Sequence, residues 1–106
     1  MPTRALVRHP AAKRDLAEAT AYLVEEAGSE VAHEFLDDVA HVFTRLRRFP
    51  NLGPPWPTRI STLVGLRRLP LERFPLSVFY RPTRTAIEIV RVLHHARDIP
   101  PLLEDL

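Results

Sequence analysis

Arginine is the residue of this chain whose recurrence invites chemistry. Arg67, Arg81, Arg91 and Arg97 fall through the C-terminal half, in or just after runs rich in Val, Ile, Leu, Phe and Tyr. A guanidinium presents a rigid fork of donors that fits the paired oxygens of a carboxylate or phosphate. On charge alone, such a row is either an anion-binding surface or the solvated face of a sheet. The histidines offer less. His33, Asp37 and His41 follow one another at four-residue spacing, which could place metal ligands on one helical face. That face lies opposite the apolar stripe Phe35, Val39, Phe43, so it reads as solvated surface with local charge pairing. His94 and His95 are adjacent and point to opposite sides of an extended chain, too far apart in direction to share an ion. His94 reads first as a hydrogen-bonding residue near a strand end. No metal and no cofactor is expected.

The elements that must position these side chains follow from periodicity. Ala5-Leu6-Val7 reads as a short strand, and His9-Pro10 starts a helix with proline at its first position. Ala12, Leu16, Ala19, Leu23 and Ala27 then recur at three- and four-residue spacing and form one apolar stripe. Gly28 stops that helix, and Ser29 is the expected N-cap of the next. A second helix carries Ala32, Phe35, Leu36, Val39, Phe43 and Leu46 and ends at Phe49-Pro50. A two-residue link between two such helices makes an antiparallel hairpin whose apolar faces need a third surface. Three strands supply it, the last two joined through Pro82-Thr83-Arg84-Thr85. The expected class is α+β in the order β-α-α-β-β-β, with the helical hairpin packed on a small, mostly antiparallel sheet. In the last strand Ile87, Ile89 and Leu93 share parity with Arg91, whereas Val90 and Val92 share it with Glu88 and His94, so neither face is marked as buried. Before the sheet, Pro50-Asn51-Leu52-Gly53-Pro54-Pro55-Trp56-Pro57 is too rich in proline for a helix or a central strand. It is a surface loop that Trp56 pins to the body.

Composition sets the boundaries. A chain of 106 residues that is 45% hydrophobic is expected to form one domain over residues 1–106. Such a domain buries roughly two thirds of its unfolded surface. It has no cysteine, which excludes a disulfide framework and suits a reducing cytoplasm. Three apolar residues precede the charge of Arg8, too few for a signal peptide or a membrane span. The net charge of +2 conceals an asymmetry: residues 1–50 carry seven basic and eight acidic side chains, and residues 51–106 carry eight and five. The sheet half is the cationic one, and Lys13 is the only lysine.

In order and spacing, these features resemble the RelE/ParE superfamily of bacterial toxins, and within it the ParE branch. ParE toxins begin with a short strand and a proline-initiated helix bearing a basic-Asp-Leu step, here Pro10 and Arg14-Asp15-Leu16. A Phe-Leu step comes next in the second helix, here Phe35-Leu36, which closes on Phe-Pro-x-x-Gly, here Phe49-Pro50-Asn51-Leu52-Gly53. The sheet brings Leu66-Arg67, Phe79-Tyr80-Arg81 and Ile89-Val90-Arg91-Val92-Leu93-His94, with Ala96-Arg97-Asp98 behind. His9 at the helix start and His95 depart from the pattern, where a better cap and a small residue are usual.

The resemblance implies the toxin of a type II toxin–antitoxin system, inhibiting DNA gyrase by binding it and without a catalytic site. It also implies a ParD-like antitoxin, with a ribbon-helix-helix end, that neutralises the toxin; operator DNA is met only through the antitoxin, and no membrane is involved. The target-binding candidates are then Arg67, Arg81, Arg91, His94, Arg97 and Asp98. Ala17, Ala21 and Val24 widen the stripe of the first helix beyond what a core needs and are the candidates for antitoxin binding. Two alternatives stay open. RelE-like relatives are ribosome-dependent messenger endoribonucleases, whose cleavage needs a base, an acid and cations on the phosphate. Arg81, Arg91, His94 and Tyr80 would supply these, although the C-terminal Tyr or His-Tyr element of many such nucleases is missing. The other alternative is a non-toxic corepressor acting with its antitoxin.

Overall fold

The computed structural model describes residues 3–58 and 61–96. Arg97 and Asp98 lie outside the described residues. The order is β1 (Ala5–Arg8), α1 (Pro10–Ala27), α2 (Ser29–Arg48), a 3-10 turn (Ser61–Leu63), β2 (Arg67–Pro70), β3 (Leu76–Pro82) and β4 (Ala86–His94). The strands form one sheet in the order β1-β4-β3-β2. β1 runs parallel to β4, with Ala5 opposite Ala86 and Arg8 opposite Ile89, and the other pairings are antiparallel.

The helical hairpin is tighter than its sequence suggests. Gly28 alone separates the helices: its N–H donates to the Val24 carbonyl, and its carbonyl accepts from Ala32 N–H. Ser29 is therefore the first residue of α2 and not its N-cap. The reason is the φ of +95° at Gly28, a conformation that only glycine adopts without strain and that reverses the chain in one step. Along α2 the buried line is Ala32, Phe35, Asp38, Val39, Val42, Phe43 and Leu46, while Leu36 is 41% exposed.

Both faces of the sheet are covered. On one face Phe35, Val39, Val42 and Leu46 of α2, with Ala12 of α1, pack against Val78, Tyr80, Ile87, Ile89 and Val92. The opposite face carries a second cluster, Phe79, Val90 and Leu93, roofed by Leu63, Leu66 and Trp56 from the loop before β2. Trp56 meets Phe79 edge to face at 5.3 Å, as its pinning role requires, and Arg68 stacks over the indole at 5.2 Å. Each fully buried large side chain stabilises by about 1.5–3 kcal/mol.

A β-bulge explains the mixed parity of β4. Tyr80 pairs with Ile89 but Phe79 pairs with Arg91, so Val90 is an extra residue. Before it the odd residues Ile87 and Ile89 face the helices; after it the even residue Val92 does. In an unbroken ladder Arg91 would share the helix-covered core with Ile87 and Ile89. The bulge turns it away.

Candidate functional site

Tyr80 and the Phe49-Pro50-x-x-Gly53 step lock together. Tyr80 is 0% exposed; its hydroxyl donates to the Pro50 carbonyl at 2.8 Å and accepts from Gly53 N–H at 2.9 Å. Burial raises the phenol above its ordinary value, and the Gly53 N–H and the Arg67 charge oppose the shift. Gly53 is needed because a Cβ there would stand 2.4 Å from the Arg68 carbonyl oxygen. Arg67 braces the same loop through Nη1, 2.7 Å from the Gly53 carbonyl and 3.4 Å from that of Asn51.

A second fastening joins the Arg14-Asp15-Leu16 step to β4. Arg91 donates from Nε and Nη2 to the two Asp15 carboxylate oxygens at 2.7 and 2.8 Å, and Val92 N–H donates to Oδ2 at 3.0 Å. The pair is nearly buried, with side-chain exposures of 14% and 11%. Glu88 is held from two sides, by His9 Nε2 at 3.0 Å and Arg81 Nη2 at 2.8 Å. Arg67, Arg81 and Arg91 thus each hold a protein partner already, and any target contacting them has to compete with it.

His95 and the buried Ser77 form a third network. His95 Nε2 lies 2.6 Å from Ser77 Oγ, which also accepts from Arg68 Nε at 2.9 Å. Burial and the neighbouring Arg68 charge hold the His95 imidazole below its ordinary value, so it favours the neutral form. Sequence reading passed over Asp38, which is 5% exposed and accepts from the backbone N–H groups of Glu72 and Arg73 at 3.3 and 2.9 Å. The signal was present: an aspartate three residues after Phe35, inside the apolar stripe of α2, needs buried donors to stay there.

The elements of a nucleolytic centre do not converge. Arg81 and Arg91 line a cavity of about 420 Å³ together with His9, Ala11, Thr62, Leu63, Glu88 and Val90. His94 lines a separate groove of about 340 Å³, between Glu18, Ala19, Tyr22 and Leu23 of α1 and Phe74, Leu76 and Val92 of the sheet side. Its Nδ1 accepts from Ala96 N–H at 3.1 Å. Tyr80 lies in the helix-covered core. His33, Asp37 and His41 are all exposed, His41 being 3.9 Å from Glu72. No cluster of three metal-ligating side chains occurs among the described residues. On the outer side of α1, Ala17, Ala21 and Val24 are exposed, Val24 by 47% and its neighbour Tyr22 by 53%.

The family described as the ParE toxin of the type II toxin–antitoxin system parDE matches residues 6–99. The chain belongs to the ParE toxin family. Among solved structures, this ParE-family chain is similar to one from the chromosomal ParDE toxin–antitoxin system of P. aeruginosa. The identity is 27% and the TM-score 0.71, covering 87% of this chain and 96% of the other. Two more distant likenesses show the shared fold. One is to the RelBE2 toxin–antitoxin complex of Mycobacterium tuberculosis, at 22% identity and TM-score 0.59, over 91% and 95% of the chains. The other is to the E. coli DinJ-YafQ toxin–antitoxin complex, at 18% and 0.56, over 89% and 94%. No curated protein matches. The ParE motif residues bond in pairs, Asp15 with Arg91 and Gly53 with Tyr80, and so fasten the fold. No helix among the described residues is long and apolar enough to cross a membrane.

Proposed function

We propose that this ParE toxin acts by binding DNA gyrase, without chemistry of its own, and is neutralised by a ParD-like antitoxin that wraps α1. One observation carries the binding reading: the residues a nuclease would use are dispersed or engaged. Tyr80 is buried with both hydroxyl roles filled, and Arg91 is committed to Asp15. His94 lines a groove that shares no residue with the cavity of Arg81 and Arg91. General acid–base cleavage needs these groups within hydrogen-bond reach of one substrate. The antitoxin surface is supported by Ala17, Ala21 and Val24, which recur at four- and three-residue spacing and leave small and apolar side chains on the solvent side of α1.

The test uses purified toxin released from its antitoxin. Gyrase supercoiling should be blocked, or cleaved DNA trapped, while ribosome-bound message stays intact. Message cleavage with gyrase unaffected would overturn the proposal and support the ribonuclease alternative, in which case His94→Ala should abolish cleavage and spare antitoxin binding.

A further inference from the structure

The two edges of the sheet differ. Along β2 the proline-rich loop closes the edge: Pro55 bridges Arg67, Arg68 N–H donates to the Pro54 carbonyl, and Trp56 N–H donates to the Leu66 carbonyl. Along β1 no such cover occurs among the described residues. Its parallel pairing with β4 engages alternate residues, since Ala5 N–H donates to the Thr85 carbonyl and His9 N–H to that of Ile89. Leu6 and Arg8 therefore turn both their N–H and C=O groups outward, and neither meets a backbone partner there among the described residues.

The open edge is cationic. Arg4 and Arg8 flank it on the strand, and Arg47, in the last turn of α2, sets its Nε 2.7 Å from the Arg4 carbonyl oxygen. None of the three has an acidic partner among the described residues, whereas Arg81 and Arg91 of the inner strands are both paired. Residues 3–8, 44–49 and 83–86, which surround the edge, contain no Asp or Glu. The two sides of β1 also differ. Leu6 packs into the helix-covered core and the Arg8 guanidinium lies over the Phe43 ring of α2 at 5.9 Å, so the even residues face the helices. Val7 faces the other way and is 46% exposed.

We propose that β1 accepts an extended, acidic segment of another protein as a fifth, antiparallel strand. The added strand exchanges main-chain bonds with Leu6 and Arg8 and alternates its side chains, with acids on the helix side against Arg4 and Arg8 and β-branched residues on the other side against Val7. A nucleic-acid backbone fits less well, because phosphates accept from the N–H groups but donate nothing to the Leu6 and Arg8 carbonyls. A second copy of this chain is disfavoured by the same charges, since β1 against β1 would set Arg4 and Arg8 beside the arginines of the other copy. The surface is separate from the outer side of α1, and it stands whatever covers that helix.

The probe is a short fluorescent peptide of alternating Glu and Val, titrated onto the whole chain and read by anisotropy, beside the same peptide with Lys in place of Glu. Saturable binding of the Glu peptide alone is expected, and Arg4→Glu with Arg8→Glu should weaken it at least about tenfold. No binding, equal binding of the Lys peptide, or an unchanged affinity in the folded double variant overturns the proposal. Two N-methylated Glu peptides separate strand addition from charge attraction: methyl groups on the glutamates block the bonds to Leu6 and Arg8, and methyl groups on the valines fall on the far side of the added strand. Binding should be lost with the first and kept with the second, and any other pattern overturns the proposal. These arms leave the protein unaltered, so they hold even if the double variant fails to fold. Displacement of the peptide by an equal concentration of single-stranded oligonucleotide would make the edge a nucleic-acid surface, and a dimer in sedimentation that the peptide dissolves would assign it to a second copy; either result overturns the proposal.

Discussion

Removing one partner of the Asp15–Arg91 pair should cost more than any surface change in this protein. Asp15 receives three donors, two from the Arg91 fork and one from the Val92 backbone. Arg91→Ala leaves a carboxylate of 11% exposure with only the backbone donor, and breaking a buried pair from one side costs about 3–5 kcal/mol. Total stability for a domain is about 5–15 kcal/mol, so the loss is a large share of it. At about 4 °C or more per kcal/mol for a small domain, the melting temperature should fall by at least about 12 °C. Asp15→Ala should behave alike, since it takes the carboxylate from both the Arg91 fork and the Val92 N–H. The pair Asp15→Leu with Arg91→Met removes both charges and should recover most of the loss, to within about 1–2 kcal/mol of the parent. Urea unfolding at constant slope measures all of these, with gyrase affinity measured on the folded fraction. If Arg91→Ala keeps its stability to within about 0.5 kcal/mol, the pair is not a fastening, and Arg91 is then available to a target.

Four further outcomes are expected. Tyr80→Phe leaves Gly53 N–H and the Pro50 carbonyl without their partner and should destabilise by about 1–3 kcal/mol. In the parent the folded-state phenol is raised above its ordinary value of 10.0; the unfolded chain ionises first, so stability should fall as pH rises above that value, a slope that Tyr80→Phe removes. Gly53→Ala, with its Cβ 2.4 Å from a backbone oxygen, should cost about 2–3 kcal/mol in the same unfolding assay. His95 is lowered from 6.5 in the fold; the unfolded chain binds the proton first, so stability should decline as pH falls below that value, and His95→Gln should flatten the decline. Ala21→Glu should weaken antitoxin binding by about 1–3 kcal/mol with the melting temperature unchanged, because it sets a charge inside the interface; calorimetry showing equal affinity would move the antitoxin elsewhere.

The helices were legible because periodicity is local: the stripes of α1 and α2 and the stop at Gly28 are written in consecutive residues. The order of the strands was less so, since nothing in Ala5–Arg8 states that it runs parallel to Ala86–Ile89. The functional candidates fared according to the same distinction. Arginine spacing announced a cationic half, but whether a guanidinium is offered or occupied depends on residues distant in sequence: Asp15 for Arg91, and the carbonyls of Asn51 and Gly53 for Arg67. Asp38 belongs with these, since its donors, the Glu72 and Arg73 N–H groups, come from a distant segment. The exposure of Ala17, Ala21 and Val24 was readable because it follows on a helix from angle alone.

The extra residue in β4 also has a meaning for how such chains lengthen and shorten. Deleting Val90 would join Ile89 directly to Arg91 and leave every remaining side chain of the strand on its present side, at the cost of one member of the smaller cluster. Deleting Arg91 would close the bulge in the same way, with Val90 taking its place on the outer side, whereas a deletion at Val92 or Leu93 that closed the bulge would carry Arg91 to the helix-covered side. The Val90–Arg91 step is therefore where this strand absorbs an alignment gap without a change of register, and a gap at position 90 also keeps the Asp15–Arg91 pair. Relatives that differ by a residue there can share the same architecture.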